Sequence, residues 1–530
     1  MAAPHRELRP KSLRAREAAS TELRDLPLDG EGALYEQIYR AIREAILGGR
    51  VRGGTRLPTT RALAAELGVS RNTVIAAFEP LQAEGYVASR VGAGTFVVPQ
   101  VGSQVASGRS VIVERGAPAT ESDAEEGPPL KLSRYGQGLA TNTPRRLYDA
   151  FLERTPLAQD FRPCVPDVER LPYEDWRRHL ARTAHHLPNS GFEYADPAGV
   201  EGLRVEIADY LARARGVLCD ADQIVVVGGV AQALDLAARL FVDPGDAVLV
   251  EDPHYLGARR TFEAAGAEIV GAPVDQEGMD PRRVSSSDRK RCRMAYVTPS
   301  HQFPTGVILS LARRQALLNW AEEANAYILE DDYDSEFRYA GRAIPSLKSL
   351  DERGRVLYVG TFSKTLLPAL RIAYLVLPKN LVELFRSAKW LSDWAAPSFE
   401  QHALARFLGS GDFERHLRRA RTLYARSRVA LIEALAANFD RDALTYHDSQ
   451  AGLHLLVRFR GIPRDCQGEV VRCAEALGIG VYPAAPCYLD PACQSELELV
   501  LGFARLEPEM IRVGIEQLAT VLSDSQKPGA

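Results

Sequence analysis

The chain has little that would tie it to a membrane, a metal or an oxidising compartment. Its seven cysteines are odd in number and show neither Cys-x-x-Cys nor His-rich spacing. That argues against a disulfide framework and against zinc, so reduced thiols and no metal site are expected. No apolar run is long enough to span a bilayer, and the N-terminus has no apolar secretory segment, so no membrane partner and a cytoplasmic location are expected. Charge of neither sign dominates: the net charge is −4 with 25% charged residues, and that balance makes no demand for nucleic acid. What is present is length. At 530 residues and 46% hydrophobic residues, the chain exceeds one domain and can bury a large core.

The most informative stretch is Tyr358-Val359-Gly360-Thr361-Phe362-Ser363-Lys364, followed by Arg371. It sets a lysine amine among small hydroxyl residues directly after an apolar β-type run. A Schiff base needs a primary amine whose neutral form is accessible, and burial beside another cation supplies one. An isolated Ser-Lys pair is more often a surface lysine, so other segments must supply the rest of a site.

Residues 326–329 form an apolar strand ending in Glu330-Asp331-Asp332-Tyr333. A carboxylate at the C-terminal end of a strand faces the crevice where open α/β sheets bind ligands. Asp331 can pair there with a protonated ring nitrogen and Tyr333 with a ring oxygen; equally, one of Asp331, Asp332 and Asp334 can serve only as a helix cap. Upstream, the apolar residues 223–227 run through Gly228-Gly229-Val230-Ala231 into a helical pattern, a turn that presents backbone N–H groups to a phosphate. Tyr255, after the strand 247–250, can stack on a flat ring or simply pack in the core.

Together these segments resemble the fold-type I aminotransferases over about residues 161–515. The resemblance implies pyridoxal phosphate, with Lys364 as its Schiff-base lysine, Asp331 on the pyridine nitrogen and Tyr333 on the ring oxygen. It further implies that Thr361, Ser363, Arg371 and the backbone of Gly229, Val230 and Ala231 hold phosphate, while Tyr194 is lent to the neighbouring subunit of a homodimer. Two departures stand out. Phe303 precedes Pro304 where such enzymes carry an asparagine, and the late strand Leu499-Val500-Leu501-Gly502-Phe503-Ala504-Arg505 lacks the arginine that clamps a substrate carboxylate, for which Arg505 is a poor substitute.

The N-terminal part explains the alteration. Leu34, Ile38, Ile42 and Ile46 recur every four residues, one apolar stripe of a helix, which Gly48-Gly49 ends. Residues 59–67, the tight turn Gly68-Val69-Ser70 and the run from Arg71 to Phe78 read as a helix-turn-helix with Ser70 as cap. The second helix would enter a DNA major groove N-terminus first, bringing Ser70, Arg71, Asn72 and Thr73 to bases or phosphates. A two-stranded wing turns at Gly92-Ala93-Gly94 with Arg90 near DNA, and Arg61 lies on the preceding helix. Any single arginine here is as readily a solvated helix face. The set resembles the GntR family, and with the aminotransferase-like body it resembles the MocR/GabR-type subgroup.

The expected organisation is therefore multidomain: a disordered arm (1–29), an α+β winged helix-turn-helix (30–99), a flexible linker (100–139), and an α/β fold-type I aminotransferase-like domain (140–525). A flexible chain of about 30 residues spans roughly 30 Å, close to the ~34 Å between DNA half-sites. The function expected is a transcriptional regulator that binds a double-stranded DNA operator and senses pyridoxal phosphate, an amine or an amino-acid effector. The alternatives are a working aminotransferase with an accessory DNA-binding head and a DNA-binding dimer that has lost its cofactor.

Overall fold

The computed structural model describes residues 26–90, 93–99, 131–142, 157–341 and 344–524. The chain divides into two compact units, Met1–Pro128 and Pro129–Ala530.

In the first unit, helix α1 (Leu34–Leu47) ends at Gly48. Helix α2 (Thr60–Leu67) is capped by the Thr59 side chain and closed by Gly68 in the left-handed region. Helix α3 (Arg71–Ala83) starts from Ser70, whose hydroxyl accepts the Thr73 N–H at 3.1 Å. Strands β1 (Val87–Arg90) and β2 (Gly94–Val97) pair antiparallel as the wing. Thr55 and Leu57 exchange backbone hydrogen bonds with Val97 and Thr95, which ties the wing to the helices. Ile38, Ile42 and Ile46 are buried with Val74, Phe78 and Leu81, whereas Leu34 is exposed. Ala41 and Ala45 complete the stripe instead, because helical neighbours three and four residues apart share a face.

Most of the expected arm (1–29) and of the expected linker (100–139) lies outside the described residues, as does the tip of the wing at 91–92. Two parts of those segments are described. Leu26 and Leu28 pack on the head core, and Asp29 pairs with Arg40 at 2.7 Å; so short an apolar run gives no periodic signal. A helix, Arg134–Asn142, begins inside the stretch read as linker, with the Ser133 hydroxyl accepting the Gly136 N–H at 3.2 Å.

The second unit is built on an eight-stranded mixed sheet. After the short strand β3 (Gln159–Asp160), its strands are β4 (Ile224–Val227), β5 (Ala247–Asp252), β6 (Glu268–Asp275), β7 (Gly278–Met279), β8 (Cys292–Val297), β9 (Tyr327–Asp332), β10 (Val356–Thr361) and β11 (Ala373–Val376). They lie in the order β4-β11-β10-β9-β8-β5-β6-β7. β11 runs against both β10 and β4, while β10, β9, β8, β5 and β6 are parallel. Both β4, at one edge of the sheet, and β10, in its interior, are buried along their whole length, and so read as continuous apolar runs. One face is covered by helix α4 (Val230–Phe241) and its neighbours, the other by a larger core that includes helix α5 (Asp412–Asn438). A smaller antiparallel sheet follows, formed by β12 (Leu444–Tyr446), β13 (His454–Pro463) and, after β14 (Ile479–Gly480), β15 (Glu496–Gly502). The carboxyl ends of β4, β5, β8, β9 and β10 gather at one edge of the large sheet, where doubly wound folds bind ligands.

Candidate functional site

At that edge lies a cavity of about 280 Å³ whose wall includes Lys364, Asp331, Tyr333, Tyr255, Arg371 and Phe303. Thr361, Ser363, Val230 and Ala231 also line it. Several reach the wall from the ends of buried strands: Asp331 is the penultimate residue of β9, Thr361 closes β10, and β4 gives way at Gly228-Gly229 to α4. Gly229 has φ +120°, and a Cβ there would lie 2.6 Å from Arg371 Nη2, so only glycine lets the guanidinium rest on the turn. Arg371 itself is in the left-handed region, φ +51°. Backbone donors, a helix N-terminus and a guanidinium thus converge on one spot, which is what an anion such as a phosphate requires.

Asp331 is the most telling group. Its Oδ2 accepts the Tyr296 hydroxyl at 2.7 Å, while Oδ1 is buried with no partner among the described residues. Burial pushes its carboxyl up to about 7. A buried carboxylate oxygen without a donor is costly unless a ligand supplies one, and a protonated pyridine nitrogen is such a donor. The residues present therefore fit pyridoxal phosphate.

The neighbouring acids have other employment. Asp332 forms a buried ion pair with Arg215 at 2.7 Å and accepts the Tyr358 hydroxyl at 2.6 Å. Asp334 Oδ2 lies 3.0 Å from His301 Nδ1. None of the three caps a helix. The Tyr333 hydroxyl donates to the His301 carbonyl at 2.9 Å and lies 3.1 Å from His301 Nδ1. His454 comes close enough to His301 and Asp334 to make a potential ligand cluster, although its Nε2 already meets the Pro304 carbonyl at 3.1 Å. Glu251, raised by burial to about 7, accepts from the Thr298 backbone and hydroxyl at 3.0 and 2.7 Å and so fixes the turn before Phe303. The Phe303 ring meets that of Tyr255 edge-on at 6.0 Å.

Tyr194 is the outlier. It is 87% exposed, its ring 5.4 Å from that of Trp394, and it does not reach the cavity of its own chain. In the head, Arg61, Ser70, Arg71, Asn72 and Arg90 are exposed and Thr73 is half-buried; Arg90 also lies 5.3 Å over the Phe96 ring. The N-terminus of α3 and the wing thus carry accessible donors.

Residues 34–97 match bacterial regulatory proteins of the gntR family, and residues 165–517 match aminotransferase class I and II. MocR of Rhizobium meliloti, named a probable rhizopine catabolism regulatory protein, is 36% identical over 95% of this chain and 97% of its own length. The chain belongs to the MocR-type regulators of the gntR family. TauR of Rhodobacter capsulatus, an HTH-type transcriptional regulator, is 31% identical over 93% of the chain and 97% of its own length. Among solved structures, the kynurenine aminotransferase of Pyrococcus horikoshii superposes with a TM-score of 0.67 at 28% identity, over 73% of this chain and 96% of that one. This MocR-type chain is thus a DNA-binding transcriptional regulator on a fold-type I body, and the cofactor of that body is pyridoxal phosphate. Among the described residues no helix is long and apolar enough to cross a membrane.

Several residues on this regulator's cavity escape sequence reasoning. Tyr296 looks like a core aromatic on an apolar strand, Arg162 and Cys164 precede the motifs, and Tyr482 follows them by more than a hundred residues, yet all four line the wall. The late strand β15 brings no guanidinium to the cavity. Arg505 instead lies 3.3 Å from Asp160.

Proposed function

We propose that the body of this regulator senses a primary amine or amino acid through bound pyridoxal phosphate and passes the outcome to the DNA-binding head. The observation that carries the reading is the unpartnered, buried Asp331 Oδ1 facing a cavity that also holds Lys364. In this reading Lys364 holds the aldehyde end, Asp331 the ring nitrogen, and Tyr255 flanks the ring. Tyr333 stands by the ring oxygen, while Arg371, Thr361, Ser363 and the backbone of Gly229, Val230 and Ala231 hold the phosphate. When bound, the cofactor supplies an electrophilic carbon with which an amine can condense. Phe303 offers no hydrogen bond to the ring and β15 no carboxylate clamp, so the α-C–H of an amino acid is loosely held; misplacement of that kind can cost about 10²-fold in rate. Sensing is thereby favoured over turnover.

A homodimer is part of the proposal. Tyr194 stands exposed beside Trp394, whose ring in turn meets that of Trp390, and both tryptophans are exposed, an apolar surface that a second copy can cover while receiving Tyr194 at its own site. The protein acts in the cytoplasm, where DNA and cofactor are both available. An effector moves the head only through its differential affinity for two arrangements of the protein.

The test is operator binding to the DNA upstream of the chain's own gene, with and without pyridoxal phosphate and a panel of amines, alongside keto-acid formation. An amine that changes both the visible spectrum and operator affinity, with negligible keto acid formed, is the expected result. Rapid turnover with no effect on DNA binding would replace the sensor by an enzyme. Within the head, Arg71→Ala is expected to weaken operator binding by about 1–3 kcal/mol if it reads a base. If it touches only a phosphate, the slope of log K against log salt should flatten by about one unit. Unchanged affinity and slope would remove Arg71 from the interface.

A further inference from the structure

The charged groups on the cavity wall among the described residues are Lys364, Asp331, Arg371 and Arg162. Three of them have employment in the sensor reading, on which this inference rests: Lys364 at the aldehyde, Asp331 at the ring nitrogen and Arg371 at the phosphate. We propose that the fourth, Arg162, is the receptor for an acidic group on the effector, so that the preferred effector is a primary amine carrying a carboxylate or a comparable anion.

The surroundings of Arg162 are built for that. Its Nε donates to the Tyr482 hydroxyl at 3.1 Å and its Nη2 lies 3.3 Å from Asp160 Oδ2. The same carboxylate accepts the Tyr482 hydroxyl at 2.7 Å and faces Arg505 Nη1 at 3.3 Å. Two guanidinium groups therefore share one carboxylate, and the cluster keeps one positive charge. Both guanidinium contacts are longer than the 2.7–2.9 Å of a tight charge-assisted hydrogen bond, so Asp160 orients Arg162 without saturating it. The Arg162 side chain is only 18% exposed, a partly dry setting in which a fork-shaped cation favours a carboxylate.

The backbone accounts for why this guanidinium comes from the start of the body. Gly502 N donates to the Phe161 carbonyl at 2.8 Å, and a Cβ at 502 would lie 2.1 Å from the Arg162 carbonyl. The end of β15 is thus flush against residues 161–162 and has no room for a side chain at Gly502. Tyr482, whose carbonyl accepts Val500 N at 2.8 Å, completes the corner. The cation that the late strand lacks is carried by the segment hydrogen-bonded to it.

The test uses the full-length, pyridoxal phosphate-loaded protein and matched probes: straight-chain ω-amino acids of two to five carbons, each paired with the n-alkylamine of the same length. Half-saturation is read from visible absorbance, and operator affinity is measured on the same samples. In the wild type at least one acid should be preferred to its paired amine by about ten-fold or more, the scale of a charged hydrogen bond. Arg162→Gln should bring that ratio close to one, and Arg162→Lys should keep part of it. Asp160→Asn, which leaves Arg162 less engaged, should raise the ratio, an opposite sign that a general loss of folding cannot produce. An unchanged ratio in Arg162→Gln, a lowered ratio in Asp160→Asn, or no acid preference in the wild type overturns the assignment. If the ratio collapses in Arg162→Gln while no amine alters operator affinity, the carboxylate receptor stands and the sensor reading falls. If an amine alters operator affinity while Arg162→Gln keeps the ratio, the reverse holds.

Discussion

Replacing Lys364 by alanine is expected to abolish covalent capture of the cofactor outright, the largest effect any single substitution in the cavity should have. In the wild type, borohydride reduction followed by peptide mass mapping should find the pyridoxyl label on the peptide containing Lys364. In Lys364→Ala no reduction-stable label should remain. Noncovalent binding should persist, because Arg371 resting on Gly229 and the backbone at 229–231 hold an anion independently of the amine, and Asp331 Oδ1 still awaits a donor. Equilibrium dialysis against pyridoxal phosphate separates the two contributions. Asp331→Ala should weaken noncovalent retention further while leaving Lys364 chemically competent. A label on a different lysine in the wild type would overturn the site, since no other lysine lines this cavity among the described residues.

The legible parts of this site share one physical origin. Lys364, Asp331, Tyr255 and Thr361 each follow an apolar run short enough to be a buried strand, and the ends of parallel strands meet at one edge of the sheet whatever the rest of the fold does. The head was readable for a similar reason: Ser70 announces the N-terminus of α3 by local chemistry alone, and its hydroxyl does accept the Thr73 N–H.

The residues that escaped depend on pairing between distant segments. Arg162, Tyr482 and Gly502 meet because β3, β14 and β15 come together near one corner, and no local pattern reveals that register. Likewise, Glu330-Asp331-Asp332-Tyr333-Asp334 presents four acids in five positions, but only three-dimensional neighbours sort them. The Leu347 and Lys348 N–H groups go to Glu330, Tyr296 to Asp331, Arg215 to Asp332 and His301 to Asp334. Alternation along β9 turns Asp331 and Asp332 to opposite faces of the sheet, which is why adjacent carboxylates serve a ligand and a buried ion pair.

That ion pair gives the largest expected effect on stability. Arg215 and Asp332 have side chains 5% and 1% exposed at 2.7 Å, and Arg215 also donates to Ser300 Oγ at 2.8 Å and to the Ile344 carbonyl at 3.2 Å. Burial opposes its charge, yet Asp332 and the neighbouring acids hold the guanidinium pKa above its ordinary value. Asp332→Ala leaves that cation buried without its directly paired counter-charge and removes the acceptor of the Tyr358 hydroxyl, so it should cost about 3–5 kcal/mol. The loss should appear as a lower denaturant midpoint of the cofactor-saturated protein. Removing both charges with Arg215→Met and Asp332→Leu should cost clearly less than the single substitution, because no uncompensated ion remains and apolar replacements of a buried pair are often close to neutral. A double variant as unstable as Asp332→Ala would mean that the hydrogen bonds to Ser300, Ile344 and Tyr358 carry the stability and the paired charges do not.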